Sequence, residues 1–306
     1  MPTARRSRSS GDGSSKEPSP AHEPKEAEPA FVPTPLPVLS TPTSQFAEVA
    51  RLAVAEPTVA PVTVEKGVVV FDLDGTLLDD IGLISHVAGD VLHRAFGTPV
   101  EEARIHYLAT TGMPFEAQLT QLYPEVPKEQ RSQVARLFHE RKVREAYAQA
   151  TVFPDVPRLL KRLAGDRWTL VVSTGAEREM ADLVLEREGI RFWFESILGS
   201  GQGTKREHLA EYRRRYPEAP LVLVGDSRFD MEAAAGTPGV VPVGRASTLH
   251  GWALTPDDLQ RWGARWADYV LTELPDKLPD LLTRAPRPKV ARKRRKGRDR
   301  ESPKTG

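Results

Sequence analysis

The sequence contains no cysteine, and this absence excludes several kinds of chemistry. A chain without cysteine has no disulfide framework, no thiolate nucleophile and no Cys-ligated metal site. The sequence also has no stretch that approaches the roughly 20 apolar residues needed by a membrane-spanning helix. The positively charged start, with Arg5, Arg6 and Arg8, is not followed by the apolar segment of a secretory signal. We therefore predict a cytoplasmic protein without a membrane partner.

The net charge is also small, at +1 for the whole chain, although the two ends of the chain differ in composition. Residues 1–66 hold 11 of the 27 prolines and few aromatic residues, which is typical of a disordered, Pro-rich leader. Residues 284–306 hold 11 Lys or Arg and 2 acidic residues, so the remainder of the chain is acidic. We predict that this basic tail is disordered, and that it is either a solubilising end or a contact for nucleic acid.

Between the two ends, short runs of β-branched and apolar residues recur without polar alternation, as in strands that are covered on both faces. They lie at residues 67–72, 168–173, 221–225 and 240–243, with a weaker run at 269–271. Segments with helical periodicity separate them, at residues 156–164, 177–188 and 205–216. Helices that alternate with buried strands predict an α/β fold with a doubly wound parallel sheet.

One interval interrupts this alternation, because no strand-like run occurs between residues 79 and 153. Apolar residues at helical spacing predict one helix over 81–96 and a second over 128–149. So much helical sequence between two strands exceeds what a crossover connection needs. We therefore predict a catalytic core of residues 67–78 and 154–283, with an inserted α-helical cap at residues 79–153.

The predicted strands end in acidic or hydroxyl side chains, which include Asp72, Ser173 and Asp226. In an open parallel sheet the carboxyl ends of the strands border a common crevice where ligands bind, so these distant residues are expected to meet there. Adjacent carboxylates in such a crevice repel each other unless a cation compensates their charge. The oxygen atoms of Asp72, Asp226 and Asp230 suit Mg²⁺, and we predict this ion as the cofactor.

Further groups at the same crevice favour the binding of phosphate. Lys205 follows the Gly-rich loop 199–204 and begins a predicted helix, from which its amine can reach the carboxylates. The segment Ser173-Thr174-Gly175 leads into another predicted helix, whose first turn offers unpaired backbone N–H groups to phosphate oxygens. A carboxylate near a cation, an ammonium, a hydroxyl and amide donors indicates phosphoryl transfer through an aspartyl-phosphate.

Four motifs in this order resemble those of the haloacid dehalogenase-like hydrolase superfamily. They are F-D-L-D-G-T-L-L at 71–78, V-V-S-T-G at 171–175, Lys205 within G-T-K-R-E, and V-G-D-S-R-F-D-M at 224–231. The resemblance covers residues 67–283 and is to the phosphoglycolate phosphatase-like branch, in which a helical cap is inserted after the first motif. It implies a Rossmann-like core that carries this cap.

Carried over by position, the resemblance implies three catalytic residues. Asp72 is the nucleophile that attacks phosphorus, and Asp74 protonates the departing oxygen and then activates a water molecule. Lys205 offsets the negative charge of Asp72 and the phosphate, with Arg206 as the alternative at this short motif.

The resemblance also implies the residues that bind the phosphoryl group and the metal. Ser173 and the amides of Thr174 and Gly175 hold the phosphoryl group, although Thr174 stands where relatives often carry Asn. The implied Mg²⁺ ligands are Asp72, Asp74 through its backbone carbonyl, Asp226, and Asp230, which completes or supports the site.

The acid at Asp74 favours phosphate esters, because an alkoxide leaving group needs a proton. Superfamily members that cleave carbon–halogen or carbon–phosphorus bonds lack an acid there, and P-type ATPases carry lysine where Leu73 stands. The sequence thus predicts a Mg²⁺-dependent phosphomonoester hydrolase that acts on a small phosphorylated metabolite. Two alternatives stay open: a phosphomutase of the same fold, and a nucleic-acid-associated protein or end phosphatase that uses residues 284–306.

Overall fold

The computed structural model describes residues 65–249 and 251–283. The predicted leader, except for its last two residues, and the whole basic tail lie outside the described residues. The described part forms a parallel sheet of six strands with helices on both faces, together with a two-stranded hairpin. The predicted α/β class with a doubly wound parallel sheet is therefore confirmed.

The first strand of the chain lies inside the sheet, between the second and the fourth. The strands of the sheet are β1 (Gly67–Phe71), β2 (Trp168–Ser173), β3 (Ser196–Leu198), β4 (Leu221–Gly225), β5 (Val240–Arg245) and β8 (Trp266–Asp268). Their spatial order is β3-β2-β1-β4-β5-β8. The strands β6 (Ser247–Leu249) and β7 (Trp252–Leu254) pair antiparallel as the separate hairpin.

Strand β1 is buried on both faces, which explains its uninterrupted apolar sequence. Its side chains alternate between two apolar clusters: Val69 and Phe71 pack on one face of the sheet, while Val68 and Val70 pack on the other. Because both faces are covered by helices, the polar groups of the core are displaced to the strand ends. This is the edge at which the predicted site lies.

A group of helices interrupts the core between β1 and β2. It contains α1 (Ile81–Phe96), α2 (Val100–Ala109), α3 (Phe115–Leu122) and α4 (Lys128–Arg141), followed by a π-helical turn (Lys142–Tyr147). Helix α1 has the predicted bounds, and Gly97, with φ of 72°, ends it in a left-handed conformation. The second predicted helix begins at Lys128 as expected but changes to π geometry at Lys142. The bounds of the cap as a domain, residues 79–153, stay a prediction.

The two segments that connect these helices to the core run side by side. The Asp79 N–H donates to the Thr151 carbonyl at 2.8 Å, and the Phe153 N–H donates to the Leu77 carbonyl at 3.1 Å. Both ends of the insertion therefore leave the core at one place, next to the loop that follows β1.

The remaining helices belong to the α/β core: α5 (Val156–Gly165), α6 (Arg178–Arg187), α7 (Lys205–Arg215), α8 (Arg228–Ala235), α9 (Pro256–Arg261) and α10 (Leu274–Thr283). The weak strand predicted at 269–271 is wrong, because the last strand of the sheet is Trp266–Asp268. Strand β3 and the hairpin were not predicted, since three-residue strands are too short to show a period. Among the described residues, none of the helices has the length and apolar character needed to cross a membrane.

Candidate active site

The sheet register brings three of the predicted site residues to one edge. Phe71, the last residue of β1, pairs with Val172 in β2 and with Val224 in β4. The Asp72 N–H then continues the ladder and donates to the Val224 carbonyl at 2.9 Å. Asp226 follows directly after β4. The predicted meeting of distant strand ends is thus a result of the parallel register.

Asp72, Asp226 and Asp230 form a cluster of buried carboxylates at this edge. Each offers an oxygen atom, and these atoms lie within 4.8 Å of one another. Burial, and next the charges of Asp72 and Asp230, raise the pKa of Asp226 well above its usual value. Within the described part of the chain, the Asp226 carboxylate has no hydrogen bond or ion pair, although it is only 2% exposed. A buried carboxylate with no donor is a position that a bound cation would neutralise.

Lys205 supplies one positive charge to the carboxylate cluster. Its Nζ lies 2.7 Å from Oδ1 of Asp72 and also contacts Oδ1 of Asp230. Burial opposes the charge of Lys205, but Asp230 and Asp72 together hold its pKa above the usual value. Burial also raises the pKa of Asp72 to about 7, against the opposing effect of Lys205. One ammonium therefore leaves the charge of three carboxylates only partly compensated.

The neighbouring Arg206 does not take part in this cluster. Its guanidinium packs against Gly236, where an added Cβ would lie 2.5 Å from Nη2. The two residues diverge because successive positions on a helix face different directions. Of the two candidates at this motif, it is Lys205 that the structure places at Asp72.

Asp230 already has a partner on each of its carboxylate oxygens. Oδ1 contacts Lys205, while Oδ2 accepts from the Ser227 N–H at 3.0 Å and from the Ser227 hydroxyl at 2.6 Å. The second pair of contacts is the capping arrangement that begins α8. Gly225 makes room for it, because a Cβ there would lie 2.3 Å from Cγ of Asp230. Of the two roles implied for Asp230, this geometry favours support of the site over direct ligation.

Gly75, in the loop after β1, has a left-handed backbone conformation and a close contact with Asp226, and a side chain would be incompatible with both. Its φ of 72° lies in the left-handed region, and an added Cβ would lie 2.2 Å from Oδ2 of Asp226. Its N–H donates to Oδ1 of Asp80 at 3.0 Å. Burial, and next the charge of Asp74, raise the pKa of Asp80 well above its usual value. Asp80 is a buried acid of the site that was not predicted from the sequence.

Asp74 belongs to the core loop, but its side-chain partners come from the inserted helices. Nζ of Lys142 lies 2.5 Å from Oδ2 of Asp74, and the Tyr147 hydroxyl donates to Oδ1 at 2.8 Å. Burial acts to raise the pKa of Asp74, but the charge and hydrogen bond of Lys142 and the hydrogen bond of Tyr147 lower it overall. Both partners lie in the π-helical turn, a geometry that often occurs at functional sites. Neither residue was predicted from the sequence.

The segment Ser173-Thr174-Gly175 has fewer free amides than predicted. The Thr174 N–H continues the pairing with β3 by donating to the Leu198 carbonyl at 3.0 Å, and the Thr174 hydroxyl accepts from the Ala176 N–H at 3.0 Å. The next helix begins only at Arg178, so the segment precedes its first turn. Across the described ranges, the Gly175 N–H is left without an intramolecular partner. The available donors are therefore the Ser173 hydroxyl and the Gly175 amide.

The loop between α2 and α3 contacts the core next to the carboxylate cluster. Gly112 in this loop has φ of 89°, and an added Cβ would lie 2.3 Å from Oγ of Ser227. Ser227 follows Asp226 directly, so this loop reaches the edge that carries the carboxylate cluster. The inserted helices therefore cover the site at two places, at Ser227 through this loop and at Asp74 through Lys142. As a result, Asp72 is only 8% exposed.

The comparisons with known proteins agree with this geometry. The family model described as haloacid dehalogenase-like hydrolase matches residues 69–238, which is more than half of the chain and includes all four motifs. The resemblance predicted from those motifs is therefore confirmed.

Curated relatives and solved structures share most of their length with this chain. "Phosphoglycolate phosphatase" from Vibrio vulnificus is 29% identical over 183 residues, which is 56% of this chain and 79% of that protein. "Probable phosphatase IndB" from Dickeya dadantii is 30% identical over 195 residues, with shares of 60% and 83%. A crystal structure of a hydrolase from Pseudomonas syringae has a TM-score of 0.58 at 22% identity and covers 70% of this chain and 99% of that one.

Proposed function

This chain belongs to the haloacid dehalogenase-like hydrolase family and is a phosphatase of that family; from this premise we propose that it is a Mg²⁺-dependent hydrolase of phosphate monoesters that works through an aspartyl-phosphate. One observation carries the proposal. The buried carboxylates of Asp72 and Asp226 share an edge of the sheet, yet among the described residues only the first of the two has an ammonium partner, that of Lys205. This arrangement suits a nucleophile next to a cation site.

Phosphatases of this family use a divalent metal ion, and the carboxylate cluster fits one. We propose Mg²⁺ because the donors are hard oxygen atoms. Asp72, Asp226 and the backbone carbonyl of Asp74 would hold the ion, while Asp230 supports the site through Lys205 and Ser227. When bound, the ion neutralises the carboxylates and polarises the phosphoryl oxygens.

In the proposed first step, a carboxylate oxygen of Asp72 forms a bond to phosphorus while the bond from phosphorus to the ester oxygen breaks. The ester oxygen leaves with the electron pair of that bond and receives a proton from the carboxyl group of Asp74. The Lys205 ammonium, the Ser173 hydroxyl and the Gly175 amide stabilise the charge on the phosphoryl oxygens.

In the proposed second step, water hydrolyses the aspartyl-phosphate. The Asp74 carboxylate takes a proton from the water, whose oxygen forms a bond to phosphorus as the bond to Asp72 breaks. Inorganic phosphate leaves and the Asp72 carboxylate is restored. Lys142 and Tyr147 hold the Asp74 carboxylate in place, which suits its task as a base in this step.

For the substrate we propose a small phosphorylated metabolite, with phosphoglycolate as the first candidate. The names of curated relatives support this choice. The cover over the site supports a small ester as well, because the cap-side groups at Asp74 and Ser227 leave Asp72 nearly buried.

A screen of phosphate release tests the proposal. The full chain is assayed with Mg²⁺ against phosphoglycolate, hexose phosphates and nucleoside monophosphates, with and without EDTA. We expect release from a small ester that EDTA abolishes and added Mg²⁺ restores. Isomerisation of a hexose 1-phosphate without phosphate release would instead identify a phosphomutase.

The matched controls are two conversions of Asp to Asn. Asp72→Asn removes the nucleophile and should abolish turnover while the melting temperature is kept, whereas Asp280→Asn, at an exposed position in α10, should keep full activity. Turnover by Asp72→Asn at a rate near that of the parent would contradict the nucleophile assignment.

A further inference from the structure

Helix α7 presents a second side chain to the site besides Lys205, and this one is buried. His208 lies three positions further along, so the two residues share one face of the helix. Their neighbours Arg206 and Glu207 are both exposed, whereas His208 is only 1% exposed. The face that directs Lys205 to the carboxylates therefore directs an imidazole to the adjacent strand end.

His208 contacts Ser173, the residue proposed to hold the phosphoryl group. Its Nδ1 lies 2.9 Å from Oγ of Ser173, and both side chains are buried. Throughout the described ranges, this imidazole nitrogen is the one hydrogen-bond partner of the Ser173 hydroxyl. The orientation of that hydroxyl thus depends on His208.

The direction of this hydrogen bond decides what the hydroxyl can do. A serine hydroxyl has a single proton. If Ser173 donates it to Nδ1, the hydroxyl presents only lone pairs to a phosphoryl oxygen, which repel it. If Nδ1–H donates to Oγ instead, the hydroxyl proton is free for the phosphoryl oxygen.

The role proposed for Ser173 requires the second arrangement. Burial, and next the charge of Lys205, lower the pKa of His208, while a backbone hydrogen bond of Gly199 opposes this shift. The ring is therefore neutral and has one N–H. A proton on Nδ1 leaves the hydroxyl proton of Ser173 free for a phosphoryl oxygen, whereas a proton on Nε2 would not.

We propose that His208 is a positioning residue, which donates Nδ1–H to Ser173 and thereby directs the Ser173 hydroxyl proton to the phosphoryl group. This inference rests on the proposed function, because it requires that Ser173 binds the phosphoryl oxygens.

A double-mutant cycle between Ser173 and His208 tests the proposal. The probe is inorganic phosphate with Mg²⁺, whose affinity is measured both by calorimetry and as product inhibition. Loss of one hydrogen bond to a charged group should weaken binding about tenfold in Ser173→Ala and in His208→Phe. In the Ser173→Ala background, His208→Phe should add no further loss, because the imidazole acts only through the hydroxyl.

Two further variants separate positioning from packing. Tyr212→Phe removes another buried hydrogen bond from α7 to β2, that of the Tyr212 hydroxyl to the Val172 carbonyl at 2.7 Å, and leaves the hydrogen bond between His208 and Ser173 in place. Tyr212→Phe should keep the phosphate affinity of the parent. His208→Asn places an amide N–H near the position of Nδ1 and should recover part of the affinity that His208→Phe loses.

The outcomes are distinct from those of the function screen. Phosphate affinity that falls in Ser173→Ala but not in His208→Phe would overturn the inference alone, and so would equal losses from His208→Phe in the parent and in the Ser173→Ala background. Unchanged affinity in Ser173→Ala would overturn both the inference and the proposed role of Ser173. Calorimetry keeps the test valid without turnover, so failure to find a substrate affects the proposed function and not this result.

Discussion

Nζ of Lys142 lies 2.5 Å from Oδ2 of Asp74, although the two residues belong to different parts of the fold and are separated by 68 positions. Lys142 also lies over the ring of Tyr147, at 4.6 Å from its centroid, and Tyr147 donates to the other oxygen of Asp74. The inserted helices thus fix both oxygens of the side chain that is proposed to transfer protons. Their position on the core and the orientation of Asp74 are coupled.

Lys142→Met should impair proton transfer to the leaving group more than phosphoryl binding. Without the ammonium, the pKa of Asp74 should rise, which alone would favour its acid form. The loss arises because Asp74 also gives up one of its two side-chain contacts with the inserted helices, so that its geometry relative to the ester oxygen relaxes. We expect kcat for an alkyl phosphate to fall about 10- to 100-fold, within the range of general acid catalysis. For p-nitrophenyl phosphate, whose leaving group departs without a proton, kcat should change much less.

Lys128→Met is the matched control for this experiment, since Lys128 is exposed at the start of α4 and makes no contact with Asp74. It should change neither substrate. Equal losses of kcat for the alkyl and the aryl ester in Lys142→Met would indicate a general structural role for Lys142.

Gly75→Ala should lower the activity strongly, by more than the change in backbone conformation alone explains. The new Cβ would have to displace the Asp226 carboxylate, since it would lie 2.2 Å from Oδ2. Gly97 has the same φ of 72°, but in the described part of the chain an added Cβ there would meet no atom within 4 Å beyond its sequence neighbours, so Gly97→Ala isolates the backbone cost. We expect Gly97→Ala to lower the free energy of unfolding by about 1 kcal/mol and to keep its activity.

The two glycine variants are compared by urea unfolding and by phosphate release. A displacement of about 1 Å in a catalytic group can cost on the order of 100-fold in rate, which is the loss we expect for Gly75→Ala. Similar activities for Gly75→Ala and Gly97→Ala would argue against the close approach of Asp226 to the loop.

Binding of Mg²⁺ should raise the melting temperature of the protein, and Asp226→Asn should remove this effect. A ligand present at about 100 times its Kd stabilises the folded state by about 2.7 kcal/mol. Asp226→Asn also removes one of the mutually repelling charges, so the metal-free variant should melt at a higher temperature than the metal-free parent.

Thermal unfolding with Mg²⁺ and with EDTA measures both effects, and Asp280→Asn serves as the control that keeps the metal response. A metal-dependent shift of the parent's size in Asp226→Asn would place the ion elsewhere.

Much of the fold and most of the acidic cluster could be predicted because they follow from local sequence. Strand β1 reads as an uninterrupted apolar run since it is covered on both faces, and Asp72 follows it directly. The parallel arrangement then places Asp226 beside Asp72, as expected from the convergence of strand ends. Lys205 could be found from its place at the start of a helix after a Gly-rich loop.

The residues that sequence reasoning missed depend on tertiary packing. Lys142 reaches Asp74 only because the insertion folds back over the core and α4 changes to π geometry, and neither event has a local signal. His208 lies in an ordinary helical segment, and only the packing of α7 against β2 reveals its contact with Ser173. The free amide of Gly175 depends on how far β3 pairing extends, which a three-residue strand does not reveal in its sequence.

Asp155→Ala should destabilise the protein strongly, because it leaves a buried cation without its partner. Asp155 lies where the chain returns from the insertion to the core, and it binds Arg245 through two hydrogen bonds of 3.1 and 3.0 Å. It also accepts from the Leu271 N–H at 2.8 Å. Arg245 is fully buried and packs over the ring of Phe153, with Cζ 4.4 Å from the centroid.

Removal of one partner from a buried ion pair typically costs about 3–5 kcal/mol, which is the loss in the free energy of unfolding that we expect for Asp155→Ala. Asp276→Ala provides the contrast, since Asp276 makes the same kind of two-bond contact with Arg162 at the surface. Solvent screens that pair, so its loss should change the urea midpoint far less. Equal shifts of the midpoint in the two variants would show that burial of Arg245 does not stabilise the junction between the insertion and the core.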